Sequence, residues 1–78
     1  MIESHPEIAL DATGLLCPLP VLKARKRLNE MPSGAVLLVT ATDPMAAIDI
    51  PHFCNEQGHT LIDKSQDGNT LTFRIRRK

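Results

Sequence analysis

The stretch Ala35-Val36-Leu37-Leu38-Val39-Thr40-Ala41-Thr42-Asp43-Pro44 decides the fold, because two kinds of local order meet inside it. The run from Ala35 to Ala41 is rich in Val and Leu and favours a strand. Thr42-Asp43-Pro44 is a helix start, since an Asp side chain accepts free amide hydrogens and proline suits the first helical position. A strand that hands over to a helix within one short turn, with further helical and extended patterns on both sides, points to a layered αβ architecture.

Working back toward the N-terminus, Pro32 and Ser33-Gly34 separate this strand from a helical pattern. From Pro18 to about Glu30 the apolar positions Val21, Ala24, Leu28 and Met31 recur at helical spacing, with Lys23, Lys26, Arg27 and Glu30 elsewhere. Before that helix, Ile8, Ala9 and Leu10 form a brief apolar run that ends at Thr13-Gly14, as a strand followed by a turn would. Residues 1–6 read as a short tail, and 7–78 as a single domain.

Working forward, a second helix follows Pro44, with a stripe through Ala46, Ala47, Ile50, Phe53 and Cys54. Pro51 removes a backbone donor and disfavours the α conformation at Ile50, so a kink or a split is expected there. Gly58 suits the left-handed position that ends helices, and Thr60 to Lys64 resumes extended structure. Asp67-Gly68 is a hairpin signal, after which Leu71, Phe73 and Ile75 alternate with Thr70, Thr72, Arg74 and Arg76. The order is β-α-β-α-β-β. A right-handed crossover would place both helices on one face of a four-stranded mixed sheet, giving an α/β (α+β) two-layer sandwich. The other sheet face is then partly wet, carrying either Val36 and Leu38 or Leu37 and Val39.

Composition narrows the function classes. The 78 residues are 42% hydrophobic and 23% charged, which is ordinary for a globular chain. Nine basic and nine acidic residues cancel, so the overall charge announces neither a nucleic-acid nor a membrane partner. The longest apolar runs fall far short of a membrane span, and Met1 to Ala12 lacks the layout of a signal peptide, so a cytoplasmic location is expected. Cys17 and Cys54 match no common zinc spacing and are too few for a disulfide scaffold; both read as thiols, and no metal site is expected.

Cys17 stands before Pro18 at a helix mouth, where unpaired amides and the positive end of the helix dipole would favour a thiolate. Pro18 and Pro20 stiffen the first turn and leave the amides of Leu19 and Val21 as donors. The same position also suits an inert cysteine tucked under the helix, since free cysteine is often buried. Cys-Pro-Leu-Pro has no second thiol, so it cannot perform the intramolecular exchange of a Cys-x-x-Cys oxidoreductase; a covalent carrier fits better. Cys54, on the apolar stripe, reads as a core residue. Asp43 reads as a cap and Asp49 as a solvated helix residue, while His52 and His59 belong to no metal or triad motif. Lys23, Arg25, Lys26 and Arg27 form one basic cluster and Arg74, Arg76, Arg77 and Lys78 another; either could meet an acidic partner protein or, as the lesser alternative, an RNA backbone. With only Phe53 and Phe73 as aromatics, a specific nucleic-acid surface is not expected.

Three segments together resemble the TusA/SirA family of small sulfur-carrier proteins. They are Leu10-Asp11-Ala12-Thr13-Gly14-Leu15-Leu16-Cys17-Pro18-Leu19-Pro20, then Thr42-Asp43-Pro44 with Asp49-Ile50-Pro51-His52-Phe53-Cys54, then Gly58-His59. A Cys-Pro-x-Pro match alone is weak; its place before the first helix, joined to the other segments, makes the likeness specific. The resemblance implies the same two-layer sandwich and a sulfurtransferase whose Cys-Pro-x-Pro cysteine, here Cys17, accepts persulfide sulfur. It implies a cysteine desulfurase or rhodanese-like donor, a downstream sulfur-relay acceptor serving tRNA thiolation or another sulfur pathway, and no cofactor. The alternative is a non-catalytic regulatory or protein-binding module in which Cys17 is structural.

Overall fold

The computed structural model describes residues 7–78, so the expected tail over 1–6 lies outside the described residues. Among them, β1 (Glu7–Ala12), α1 (Leu19–Asn29), β2 (Val36–Ala41), α2 (Ala46–Gln57), β3 (Thr60–Asp67) and β4 (Thr70–Arg76) follow in the expected order. The strands lie in the order β1-β2-β4-β3, with β1 parallel to β2 and the other pairs antiparallel. The sheet is therefore mixed, and β4 shares its centre with β2.

Register explains why the alternating positions become a core. Ile8, Leu37, Ile75 and Leu61 form one row across the sheet, Leu10, Val39 and Phe73 a second, and Ala12, Ala41 and Leu71 a third. All these side chains share one face. Leu37, Val39, Phe73 and Ile75 are essentially sealed from solvent. Pro20, Ala24 and Leu28 of α1, and Ala46, Ile50, Phe53 and Cys54 of α2, pack onto the same core. Of the two faces left open by the alternation, Leu37 and Val39 thus point inward; Val36 and Leu38 lie on the wetter side, where Arg74 pairs with Glu7 at 2.7 Å.

Local chemistry departs from the expected boundaries in four places. Residue α1 begins with is Leu19 rather than Pro18. The second helix begins at Ala46, because Pro44 and Met45 form a preceding turn, and Ala47 on its expected apolar stripe is exposed. No split occurs at Pro51: α2 runs unbroken from Ala46 to Gln57. The proline removes only its own donor, and the carbonyl four residues back belongs to exposed Ala47, where water can serve it. Finally, the hairpin turn is Gly68-Asn69, since Asp67 still pairs with Thr70.

Gly58 ends α2 at φ 81°, its amide bonded to the Cys54 carbonyl, in the left-handed position a side chain would strain. A bulge at Ile62, between Leu61 and Asp63, shifts β3 so that Lys64 and Gln66 stand opposite Phe73 and Leu71. At the other end of the sheet the C-terminal residues are tied down. Arg77 Nε donates to the Leu28 carbonyl at 2.7 Å, satisfying the end of α1, and the Lys78 amide donates to His59 Nδ1.

Candidate functional site

Parallel pairing puts the site together. Because Ala12 and Ala41 are in register, the chains leaving β1 and β2 emerge side by side, at the strand ends where open αβ sheets tend to hold their sites. The first loop is shaped by Asp11, whose Oδ1 accepts from the Thr13 amide at 2.9 Å and from the Thr13 hydroxyl at 2.6 Å. Those bonds also hold the Asp11 carboxyl below the usual range. The second loop then straps the first: Thr42 Oγ1 accepts the Gly14 amide at 2.9 Å, and Asp43 Oδ2 accepts the Cys17 amide at 2.6 Å. Asp43 Oδ1 accepts the Met45 amide at 3.1 Å. Asp43 therefore closes the turn into α2 and fixes the backbone of Cys17 with its two oxygens, a wider role than the cap expected of it.

The Cys17 thiol is exposed, and its Sγ donates to Asp49 Oδ2 at 2.9 Å. Here the expectation of a favoured thiolate is overturned. The hydrogen bond to Asp49 comes first, followed by partial desolvation and the charges of Asp49 and Asp43; together they raise the thiol above its ordinary value. The helix mouth offers less than its position suggested. Pro18 and Pro20 have no amide hydrogen, and the Leu19 amide donates to the Leu16 carbonyl at 2.8 Å rather than standing free. A carboxylate in contact outweighs what remains of a helix dipole's partial charge.

Cys17 opens into a groove of about 340 Å³ between α1 and α2, walled by Leu22 and Arg25 on one side and by Asp49, His52 and Phe53 on the other. His52 Nε2 lies 3.5 Å from Glu56 Oε2, which lines the same groove. The basic cluster of α1 is divided: Arg25 borders this groove, whereas Lys23, Lys26 and Arg27 line a separate one with Leu10 and Glu30. The C-terminal cluster is dispersed as well, with Arg74 on the open sheet face and Arg77 bound to the end of α1.

Among the described residues, large apolar side chains are exposed at Leu16, Leu19, Leu22, Met45, Ile48 and Ile62. The first three lie within five residues of Cys17, and Leu22 borders its groove; Met45 and Ile48 precede Asp49 at the start of α2. Cys54, by contrast, is buried in the core cluster, where burial pushes its thiol up to about 11. Pro18 lines the groove, and the Pro20 side chain is fully buried. No set of three or more His, Cys, Asp or Glu among the described residues is placed to hold a metal ion, and no helix is long and apolar enough to cross a membrane. The residue that sequence reasoning missed is Asp49. Its contact with Cys17 spans 32 positions and depends on how α2 is turned against α1, a rotation that no local pattern encodes.

Comparison with known proteins spans the region that holds both thiols. The family model described as Sulfurtransferase TusA matches residues 8–77. A sulfur carrier protein TusA of Pseudomonas putida (strain GB-1) is 42% identical over 78 residues, covering all of this chain and 98% of the relative. The TusA of Pseudomonas entomophila (strain L48) is 44% identical over 72 residues, 92% of this chain and 90% of its own. A crystal structure of a SirA-like protein from Desulfitobacterium hafniense superimposes with a TM-score of 0.79 at 25% identity, covering 88% of this chain and 95% of that one.

Proposed function

This chain belongs to the TusA family of sulfurtransferases, whose members handle sulfur between donor and acceptor proteins, and from that premise we propose that it carries the sulfur as a persulfide on Cys17. The observation that carries the reading is the contrast between the two thiols: Cys17 is exposed on a loop held by Asp43, and Cys54 is buried in the core. Loading moves one sulfur atom. Cys17 Sγ attacks the terminal sulfur of a donor persulfide, the donor's own sulfur–sulfur bond breaks, and the donor returns to a thiol. Discharge is the same exchange with an acceptor thiol attacking the terminal sulfur on Cys17. The exchange needs no cofactor, because the transferred sulfur keeps its oxidation state.

The donor is a cysteine desulfurase or a rhodanese-like protein, and the acceptor is the next protein of a sulfur relay. Exposed Leu16, Leu19 and Leu22, within five residues of Cys17, and exposed Met45 and Ile48, at the start of the helix that carries Asp49, support docking of both near the thiol, since exposed apolar side chains beside a site favour a protein contact. Arg25 is the cation of the α1 cluster placed to meet an acidic partner at that groove. The protein is an enzyme in the broad sense of a sulfurtransferase that is restored after each delivery, and it works in the reducing cytoplasm. The test is intact-mass measurement after incubation with a cysteine desulfurase, pyridoxal phosphate and cysteine. Wild type and Cys54→Ser gain sulfur that a reductant removes, and Cys17→Ser gains none. Reducible sulfur on Cys17→Ser would overturn the assignment.

A further inference from the structure

The proton on Cys17 needs a destination. A thiolate is the nucleophile in sulfur exchange, yet the surroundings of Sγ hold it as a thiol. The Leu19 amide is occupied, and two carboxylates approach the sulfur from the loop after β2 and from α2. The charged and titratable groups that face it are Asp43 from that loop, Arg25 from α1, and Asp49, His52 and Glu56 from α2. Of these, Asp49 alone has an oxygen in contact with Sγ, at 2.9 Å; Asp43 is spent on the Cys17 and Met45 amides, and His52 lies against Glu56. Asp49 is also held in place. It is half-buried in the first turn of α2, and its amide donates to the Met45 carbonyl at 2.8 Å.

We propose that Asp49 is the proton-transfer residue of this site: its carboxylate takes the Sγ proton as Cys17 attacks, and returns a proton to Sγ when Cys17 departs. The inference rests on the carrier reading above. In loading, a Sγ electron pair forms the new bond to the terminal sulfur of the donor persulfide. The donor's sulfur–sulfur bond breaks with its electron pair on the donor cysteine. The proton released from Sγ passes through Asp49 to that departing sulfur, so a thiol and a persulfide give a persulfide and a thiol. In discharge an acceptor thiol attacks the terminal sulfur, and Cys17 leaves with the electron pair and is protonated through the same carboxylate. A sulfur with a raised pKa is a strong nucleophile once deprotonated and a poor leaving group unless protonated, so the exchange gains in both directions from a group that moves the proton.

The test pairs two readouts that a merely electrostatic neighbour would move together. For wild type, Asp49→Asn and Asp49→Glu, the pH midpoint of Cys17 alkylation by iodoacetamide is measured by intact mass. Sulfur uptake from glutathione persulfide, a donor that needs no protein docking, is measured across the same pH range. Asp49→Asn is expected to lower the alkylation midpoint, because a charge and a hydrogen bond that favour the thiol are gone. It is nevertheless expected to load sulfur at pH 7 about tenfold or more slowly, with Asp49→Glu recovering part of the loss. Above the thiol's titration the two rates converge, since no proton remains to be moved. Faster loading by Asp49→Asn at pH 7, unchanged loading, or a deficit of the same size at every pH would each overturn the role of Asp49. Those results leave Cys17 as carrier intact, whereas sulfur uptake by Cys17→Ser would remove the reading beneath it.

Discussion

Replacing Asp43 with alanine removes both hydrogen bonds that its carboxylate accepts, one from the Cys17 loop and one within the turn into α2. Oδ1 loses the Met45 amide and Oδ2 loses the Cys17 amide, bonds of 3.1 and 2.6 Å. Each is a side-chain carboxylate accepting a backbone amide near a helix start, a contact typically worth about 1 kcal/mol. Both lie near the surface, so the ordinary hydrogen-bond value rather than the larger one for charged groups is appropriate, and the total is about 2 kcal/mol. In a domain of this size that lowers the midpoint of thermal unfolding by about 8 to 16 °C. Asp43→Asn separates the two contributions. Its amide oxygen can still close the turn at Met45, since Asn and Asp serve comparably there, but it has no second acceptor for Cys17; about half the loss is expected. Calorimetry on the three proteins, with Cys17 alkylation rates measured beside it, reads both effects. The variants should unfold in the order Asp43→Ala, Asp43→Asn, wild type, and alkylation rates should change in Asp43→Asn as the thiol's backbone anchor is released. An Asp43→Ala protein that melts within about 2 °C of wild type would refute the view that this side chain fastens the two loops together.

Two further outcomes follow from the core. Cys54 has an ordinary thiol value of 9.0 in the unfolded chain and about 11 in the folded one, a difference worth about 3 kcal/mol. Its folded value is raised, so this stability is complete below about pH 9 and is lost as pH climbs through 11; urea titrations at pH 8 and 11 should show the loss shrinking in Cys54→Ala, and equal losses in both proteins would reject it. Phe73, sealed at the centre of the sheet beside Val39, should cost about 3 to 5 kcal/mol when cut to alanine. That approaches the whole stability of a small domain, so circular dichroism at 25 °C should find a large unfolded fraction, and a cooperative melt near the wild-type temperature would contradict the packing described.

Element order and the core were legible because both rest on local periodicity. Leu71, Phe73 and Ile75 alternate, and Ala24 and Leu28 lie a helical turn apart, whatever the rest of the chain does. The inward face of β2 was a choice of two, settled by its register with β1 and β4, which is a property of the assembled sheet. Cys17 was legible as a candidate from its motif, but its charge state was not. The carboxylate that governs it arrives from a helix 32 residues away, and one of the two amides counted on as donors, that of Leu19, is bonded to the Leu16 carbonyl. The division of the α1 cations was within reach. At about 100° per residue Arg25 falls between Val21 and Leu22, whereas Lys26, Lys23 and Arg27 lie about 100° to 160° round the helix from it; reading them as one cluster ignored the helix's own geometry. Pro51 misled for the opposite reason, since a rule about interior proline is softened where the orphaned carbonyl belongs to an exposed residue.

The polarity of β4 has a practical consequence. It starts beside Ala41, at the end of the sheet that holds Cys17, and finishes beside Val36. Seven residues of strand carry the chain roughly 20 Å away before Arg77 and Lys78 are reached. A dye, a surface linker or a fused protein attached after Lys78 therefore hangs from the pole opposite the thiol. Immobilised by that end, the molecule presents Cys17 outward to whatever is flowed over it, so that sulfur delivery can be followed on a surface without the tether standing in the way.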